Sequence, residues 1–469
     1  MEVSRILSRA TKLIKKIGIQ VNRFKNMTPQ EQLKFFRANR FSSFFSLKDS
    51  AGREFFYGEH GSRNFDQLCE LLLLFNPELK GRVGYDLTKK SLKSSYAKVY
   101  LEEDLDMSPA SAQIFFEVCV SSLKSNFEIF EHHFPCVFFI EESPDFFDVG
   151  PVKFSRMNLF VANAELILNA GPPSDKEDII KSIDRRAIDY YRGFPWVMSI
   201  KVGGCDYETS FDNAVFSCNT ALNIIRVLFG SNYTEWVKLS TGLGESLSSA
   251  RIYAGNNGKM VCSLSARAHS PSGPPNWYEF LNGEGGEYKD FFGDLIDKFC
   301  NFREMSELSK RLMDAINWFG DAALELSPGA AIVKYVTCIE RLYFGAQYQD
   351  FKKVFSKRIS KILTDFECPS AKNSLETVGE IYKVRSTLVH GAVSPSLGDS
   401  PWPLFEAENI AKDCILCALQ IYLMLTHAFQ PADAAQLEAG LKEYECNGLG
   451  WLSDLAARNR WQCMTLIPK

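Results

Sequence analysis

Apolar positions in the first 25 residues fall at helical steps. Val3, Ile6, Leu7, Leu13, Ile14 and Ile17 predict an amphipathic helix, with seven Lys or Arg and one acid around them. Such a helix can touch a membrane, RNA or a partner, or dock on its own domain. Thr28-Pro29-Gln30-Glu31 has the form of a capping box that starts a second helix. From residue 41 to about 107 the pattern is mixed, with a buried helix predicted over Phe65 to Phe75. Ser108-Pro109 then opens a long helix to about Glu131.

The period shortens over residues 136–265. Cys136 to Ile140, Met157 to Val161, Trp196 to Val202, Arg251 to Ala254 and Met260 to Leu264 are predicted strands. The last two flank Gly255-Asn256-Asn257-Gly258, a hairpin signal. Gly258-Lys259 lacks the spacing of a phosphate loop. Helices are expected from Ser174, behind the box Ser174-Asp175-Lys176-Glu177, and from about Phe211 to Phe229. The breaker-rich stretches Pro271-Ser272-Gly273-Pro274-Pro275 and Gly283-Glu284-Gly285-Gly286 place a domain boundary near residue 285.

From Tyr288 to about Leu425 the pattern is almost entirely helical. Ser327-Pro328 caps a helix that carries Glu340. In the next helix Phe355, Ile359 and Ile362 make an apolar edge, and Lys353, Lys357 and Lys361 line another face. A helix beginning near Asn373 carries Leu375, Val378, Tyr382 and Val389 at three- and four-residue steps, which predicts a buried face. Arg385 falls on that face, where a guanidinium needs an anion, either a carboxylate or a bound phosphate. His390 follows five residues later as a candidate proton carrier, and Gly391 is a candidate helix cap. A helix from about Phe405 to Phe429 is apolar enough for a central core or dimer helix, and residues 433–469 add one or two short helices.

The fold class expected is therefore α+β: a mixed N-terminal region followed by an all-α helical bundle. Its divisions are 1–135, mostly helical; 136–285, an α+β regulatory or sensing domain; 286–432, the bundle; and 433–469, a helical extension.

Composition narrows the functional classes. The chain has 469 residues, enough for two or three cores, and its 46% hydrophobic content is that of a globular protein. A net charge of −4 argues against a protein basic throughout, so nucleic-acid contact needs a local patch. Residues 351–395 provide one, with eight basic residues to four acidic. The 13 Cys show no regular framework and suit reduced thiols and a cytoplasmic location. Cys414 and Cys417 lack a second pair for zinc, and Glu131-His132-His133 lacks a third converging ligand, so no metal or cofactor is expected. No apolar run of membrane-spanning length and no secretory signal is evident.

Arg385-Ser386-Thr387-Leu388-Val389-His390-Gly391 resembles the Arg-x4-6-His signature of the HEPN superfamily, in the form of its Apea-like branch. The segment Ala331 to Leu342, with Glu340 late in an apolar run, resembles a helix of the same branch. The resemblance covers about residues 290–430, under a third of the chain. It departs from the pattern at Ser386, where many members have Asn, Asp or His; Ser can still donate or accept a hydrogen bond.

The resemblance implies a ribonuclease that dimerises and builds one composite site. Residues five apart on a helix point about 140° apart, so one Arg385 and one His390 flank a face, while two copies would line one cleft. RNA brings its own 2′-hydroxyl nucleophile and needs no metal in principle. His390 would move the proton and Arg385 would stabilise charge on the phosphoryl group, leaving a 2′,3′-cyclic phosphate. Glu340 is a candidate partner of Arg385, as a structural ion pair would also require. The resemblance also implies antiphage defence by abortive infection, with residues 1–285 responding to a phage or host trigger. A second reading is a non-catalytic HEPN module for RNA or nucleotide binding and dimerisation. A separate enzyme in the α+β region is the third, and no nucleophile–base constellation there supports it.

Overall fold

The computed structural model describes residues 2–28, 30, 31, 34, 44–141, 144–162, 188–240, 248–254, 260–266, 272–346, 348–372, 374–392, 403–429, 431 and 433–458. Its architecture is α+β followed by an all-helical C-terminal region, as the pattern predicts. The chain divides into two compact units, Met1–Phe130 with Val202–Asn213 and Glu131–Lys201 with Ala214–Lys469.

The smaller unit runs through α1 (Glu2–Lys25), the antiparallel pair β1 (Phe44–Lys48) and β2 (Glu54–Gly58), α2 (Glu59–Phe75), α3 (Tyr85–Tyr96) and α4 (Pro109–Lys124). Ile6, Ala10, Leu13, Ile14, Ile17 and Val21 of α1 are buried among Phe65, Leu68, Leu72, Tyr96, Phe115 and Phe116. The first helix thus docks on its own unit, because its apolar stripe completes that core. Thr28 and Glu31 form the expected capping box: the Thr28 N–H donates to Glu31 Oε2 at 2.8 Å, and the Glu31 N–H to Thr28 Oγ1 at 3.3 Å.

Ser108 caps α4 reciprocally with Ser111, but that helix stops at Lys124 rather than near Glu131. The side chains of Ser125 and Asn126 both donate to the Ser122 carbonyl, at 2.8 and 2.7 Å, and close its last turn. Glu131, His132 and His133 consequently lie in a strand, β3 (Glu128–Val137), and not at a helix end.

The larger unit holds a five-stranded sheet in the order β4 (Phe146–Val149), β5 (Val152–Arg156), β6 (Trp196–Cys205), β3, β7 (Lys238–Leu239). Phe138, Phe147, Phe154, Trp196 and Trp277 cluster by ring contacts on it. The expected helix over 211–229 is α5 (Tyr207–Phe229), and the expected hairpin is β8 (Ser248–Ala254) with β9 (Met260–Ala266), antiparallel. Its turn, and the helix expected from Ser174, lie outside the described residues.

Two predicted strands differ. Only Cys136 and Val137 of the 136–140 run are in a strand, and residues 157–161 are helical. Met157 and Val161, four apart, share one helix face against Ile188, Phe194 and Val197, a spacing that a strand does not offer.

After α6 (Trp277–Asn282) and α7 (Gly286–Cys300) comes the bundle: α8 (Glu307–Ala323), α9 (Pro328–Tyr343), α10 (Phe351–Asp365), α11 (Ser374–Val389), α12 (Leu404–Phe429) and α13 (Ala434–Arg458, interrupted at Gly448). Helix α12 touches α8, α9, α10, α11 and α13. By length and composition it could cross a membrane, but 78% of its most apolar window is buried against the bundle. It is the only described helix of that kind. The sheet and the bundle belong to the same compact unit, so the breaker-rich residues before 285 mark a change of pattern within it.

Candidate active site

Arg385 lies on α11 and faces Glu340 of α9, with Nη2 to Oε2 at 2.9 Å. The two side chains are 22% and 19% exposed, so the pair sits at the edge of the bundle and is partly shielded from water. Burial pushes the Glu340 carboxyl above its ordinary value, against the pull of Arg385. The guanidinium lies 5.7 Å from the ring centre of Tyr382, one turn back. That ring is wedged against Phe351 and Phe355 of α10. Arg385 is therefore held from two sides, while its buried Nε–H has no hydrogen-bond partner among the described residues. A buried donor left open in this way has unmet hydrogen-bonding capacity, which an acceptor would satisfy once the surrounding side chains give way.

His390 stands at the exposed C-terminal end of α11. Gly391 has φ +70°, the Gly391 N–H donates to the Leu388 carbonyl at 3.1 Å, and the Ala392 N–H to the Thr387 carbonyl at 2.9 Å. These are the two bonds of a Schellman cap, with His390 as its last residue and glycine in the left-handed position. The ring of His390 hydrogen-bonds to no described residue. Within one chain the structure thus seats Arg385 and sets His390 at a defined, exposed helix end, with no bond between them.

The buried face of α11 differs from the expected one. Val378 and Ile381 are 1% exposed, whereas Leu375 and Val389 are 61% and 53% exposed. Helix α11 packs on α10 and α9, with Tyr382 against Phe351 and Phe355, and two of its apolar residues remain open on the surface. The basic face is also thinner than its sequence. Lys352, Lys353 and Lys357 are exposed on α10 and Lys383 on α11, but Lys361 pairs with Asp365 at 2.8 Å.

Arg358, inside the same basic run, is buried and bound to Glu438, Glu445 and the Tyr343 carbonyl. It anchors α10 to α13. Its position three after Phe355 and four before Ile362 was the sequence signal for this.

The remaining candidates resolve structurally. Cys368 and Cys417 place their sulfurs 3.3 Å apart in the core. Ten free thiols are buried (Cys69, Cys119, Cys136, Cys205, Cys218, Cys300, Cys338, Cys368, Cys414 and Cys417), and Cys446 is a free thiol on the surface. Among the described residues, no three His, Cys, Asp or Glu converge as a metal site. His133 Nδ1 bonds Ser199 Oγ at 2.8 Å, and His132 stacks on Phe134.

No family model matches the chain, and neither a curated protein nor a solved structure does.

Proposed function

We propose that this chain is a metal-independent HEPN-type endoribonuclease that works as a homodimer. The carrying observation is the seating of Arg385 between Glu340 and Tyr382 with a buried Nε–H unused, one helix turn and a half from the exposed His390. In this reading the guanidinium stabilises the charge that grows on a phosphoryl oxygen. His390 takes the proton of the RNA 2′-hydroxyl or gives one to the leaving 5′ oxygen. The phosphorus–O5′ bond breaks as the O2′–phosphorus bond forms, and the product ends in a 2′,3′-cyclic phosphate.

Two copies related by a twofold axis bring two such pairs to one cleft. Leu375 and Val389, exposed on the same helix, suit a surface that a second copy covers. Antiphage defence in the cytoplasm, with residues 1–285 restraining or triggering the bundle, is the setting that the resemblance supports.

The Arg385–Glu340 bond favours one alternative, a non-catalytic HEPN module for RNA or nucleotide binding and dimerisation. There the pair is a structural tie and His390 only a helix end. Incubating wild-type and His390→Ala protein with mixed tRNA and mRNA in EDTA, then mapping product ends, separates the two. Cyclic phosphate ends from wild type alone are expected. Binding without cleavage by wild type and by the isolated residues 286–469, provided that fragment folds and dimerises, would move the assignment to the binding module.

A further inference from the structure

Helix α1 uses its apolar face inside its own unit and leaves a row of cations outside. Arg5, Arg9, Lys12 and Lys16 are all exposed. At about 100° per residue they fall within a sector of roughly 60°, and at 1.5 Å rise the row is about 16 Å long. The buried residues Ile6, Ala10, Leu13, Ile14, Ile17 and Val21 lie on the other side of the helix.

None of the four cations has a hydrogen bond or ion pair to a described residue. Elsewhere in the unit basic side chains do meet carboxylates, as in Lys48–Glu54, Arg63–Glu59 and Lys124–Glu78. Like charges at three- and four-residue steps repel one another. A polyanion lying along the row turns that repulsion into attraction.

The packing also selects among polyanions. A helix that binds a bilayer sinks its apolar face into the lipid, and here that face is already in the protein core. A phosphodiester strand needs only the charges, and both the guanidinium fork and the ammonium point charge suit its oxygens. We propose that the outer face of α1 is a docking surface for the phosphate backbone of single-stranded RNA. Choosing RNA over DNA rests on the nuclease reading above; the row itself does not.

The test is anisotropy of a labelled oligouridylate with full-length protein carrying His390→Ala, so that binding is read and cleavage is not. Replacing Arg5, Arg9, Lys12 and Lys16 together by Gln should weaken binding at least about tenfold at low salt. The slope of log K against log salt should flatten by about 3, from roughly 0.7 per lost phosphate contact. Lys12→Gln with Lys16→Gln, the milder variant, should flatten it by about half as much. Lys124→Gln, at a cation of the same unit that already meets Glu78, should leave the slope in place.

An unchanged slope in the fourfold variant, with helix content intact by circular dichroism, overturns the proposal. So does a loss confined to phosphatidylserine vesicles, and tighter binding of oligothymidylate of equal length overturns the choice of RNA. Absence of cleavage by wild type bears on the nuclease reading alone.

Discussion

Arg358 and Glu438 meet inside the bundle in two parallel hydrogen bonds, Nη1 to Oε2 at 2.9 Å and Nη2 to Oε1 at 2.8 Å. Both side chains are buried, and the guanidinium also lies over the rings of Phe344 and Tyr348. Burial alone would raise the Glu438 carboxyl, but the bonds from Arg358 hold it below its ordinary value. Removing Arg358 leaves the Glu438 charge in the core. Arg358→Ala should lower stability by about 3–5 kcal/mol in urea titrations and Glu438→Ala by less, because Glu445 still meets the guanidinium, while Arg358→Met with Glu438→Leu should recover most of the loss. A loss below about 1 kcal/mol in Arg358→Ala would show that water reaches the pair.

Arg385 and His390 should separate activity from stability. On the nuclease reading, Arg385→Ala should cut the cleavage rate by about 10²–10³, and His390→Ala by about 10²–10⁴. The exposed ring of His390 supports no packing, so His390→Ala should melt like wild type. Arg385→Lys keeps charge but not the fork and should remain impaired. If Arg385→Ala shifts the melting temperature while cleavage persists, the nuclease assignment falls.

Stability should depend on pH through β3. Burial holds the imidazoles of His132 and His133 below their ordinary value of 6.5. As pH falls through that value the unfolded chain takes up protons before the folded one does. Their contribution is therefore complete above 6.5 and is lost below it. Melting temperatures at pH about 7.5 and about 5.5 should differ, and His133→Gln, which can still bond Ser199, should shrink the difference. An undiminished difference in that variant would place the titration elsewhere.

Helices α5 and α8 approach closely at Gly320, where an added Cβ would strike the side chain of Asn223. That amide donates to Asn317 at 2.8 Å and accepts from Arg226, which is buried with its Nε–H unpartnered among the described residues. Gly320→Ala should therefore cost about 1–3 kcal/mol, since it displaces both atoms and a hydrogen-bond network. Denaturation with an unchanged midpoint would mean that α8 shifts freely against α5.

The sequence by itself determined whatever local chemistry controls. The caps at Thr28, Ser108 and Ser327, the helix over 404–429, the hairpin strands and the Schellman glycine at 391 are all encoded within a few residues. Tertiary structure decided what short apolar runs could not. Residues 157–161 became helical because Met157 and Val161 had one surface to share, and Glu131-His132-His133 became strand because a sheet neighbour supplied the hydrogen bonds. It also sorted the charges of residues 351–395, drawing Arg358 and Arg385 to distant carboxylates and leaving Lys352, Lys353, Lys357 and Lys383 to solvent. Sequence spacing can place an arginine on an apolar face, but Glu340 and Glu438 stand 45 and 80 residues away from their partners. Only the packing of separate helices brings them within reach.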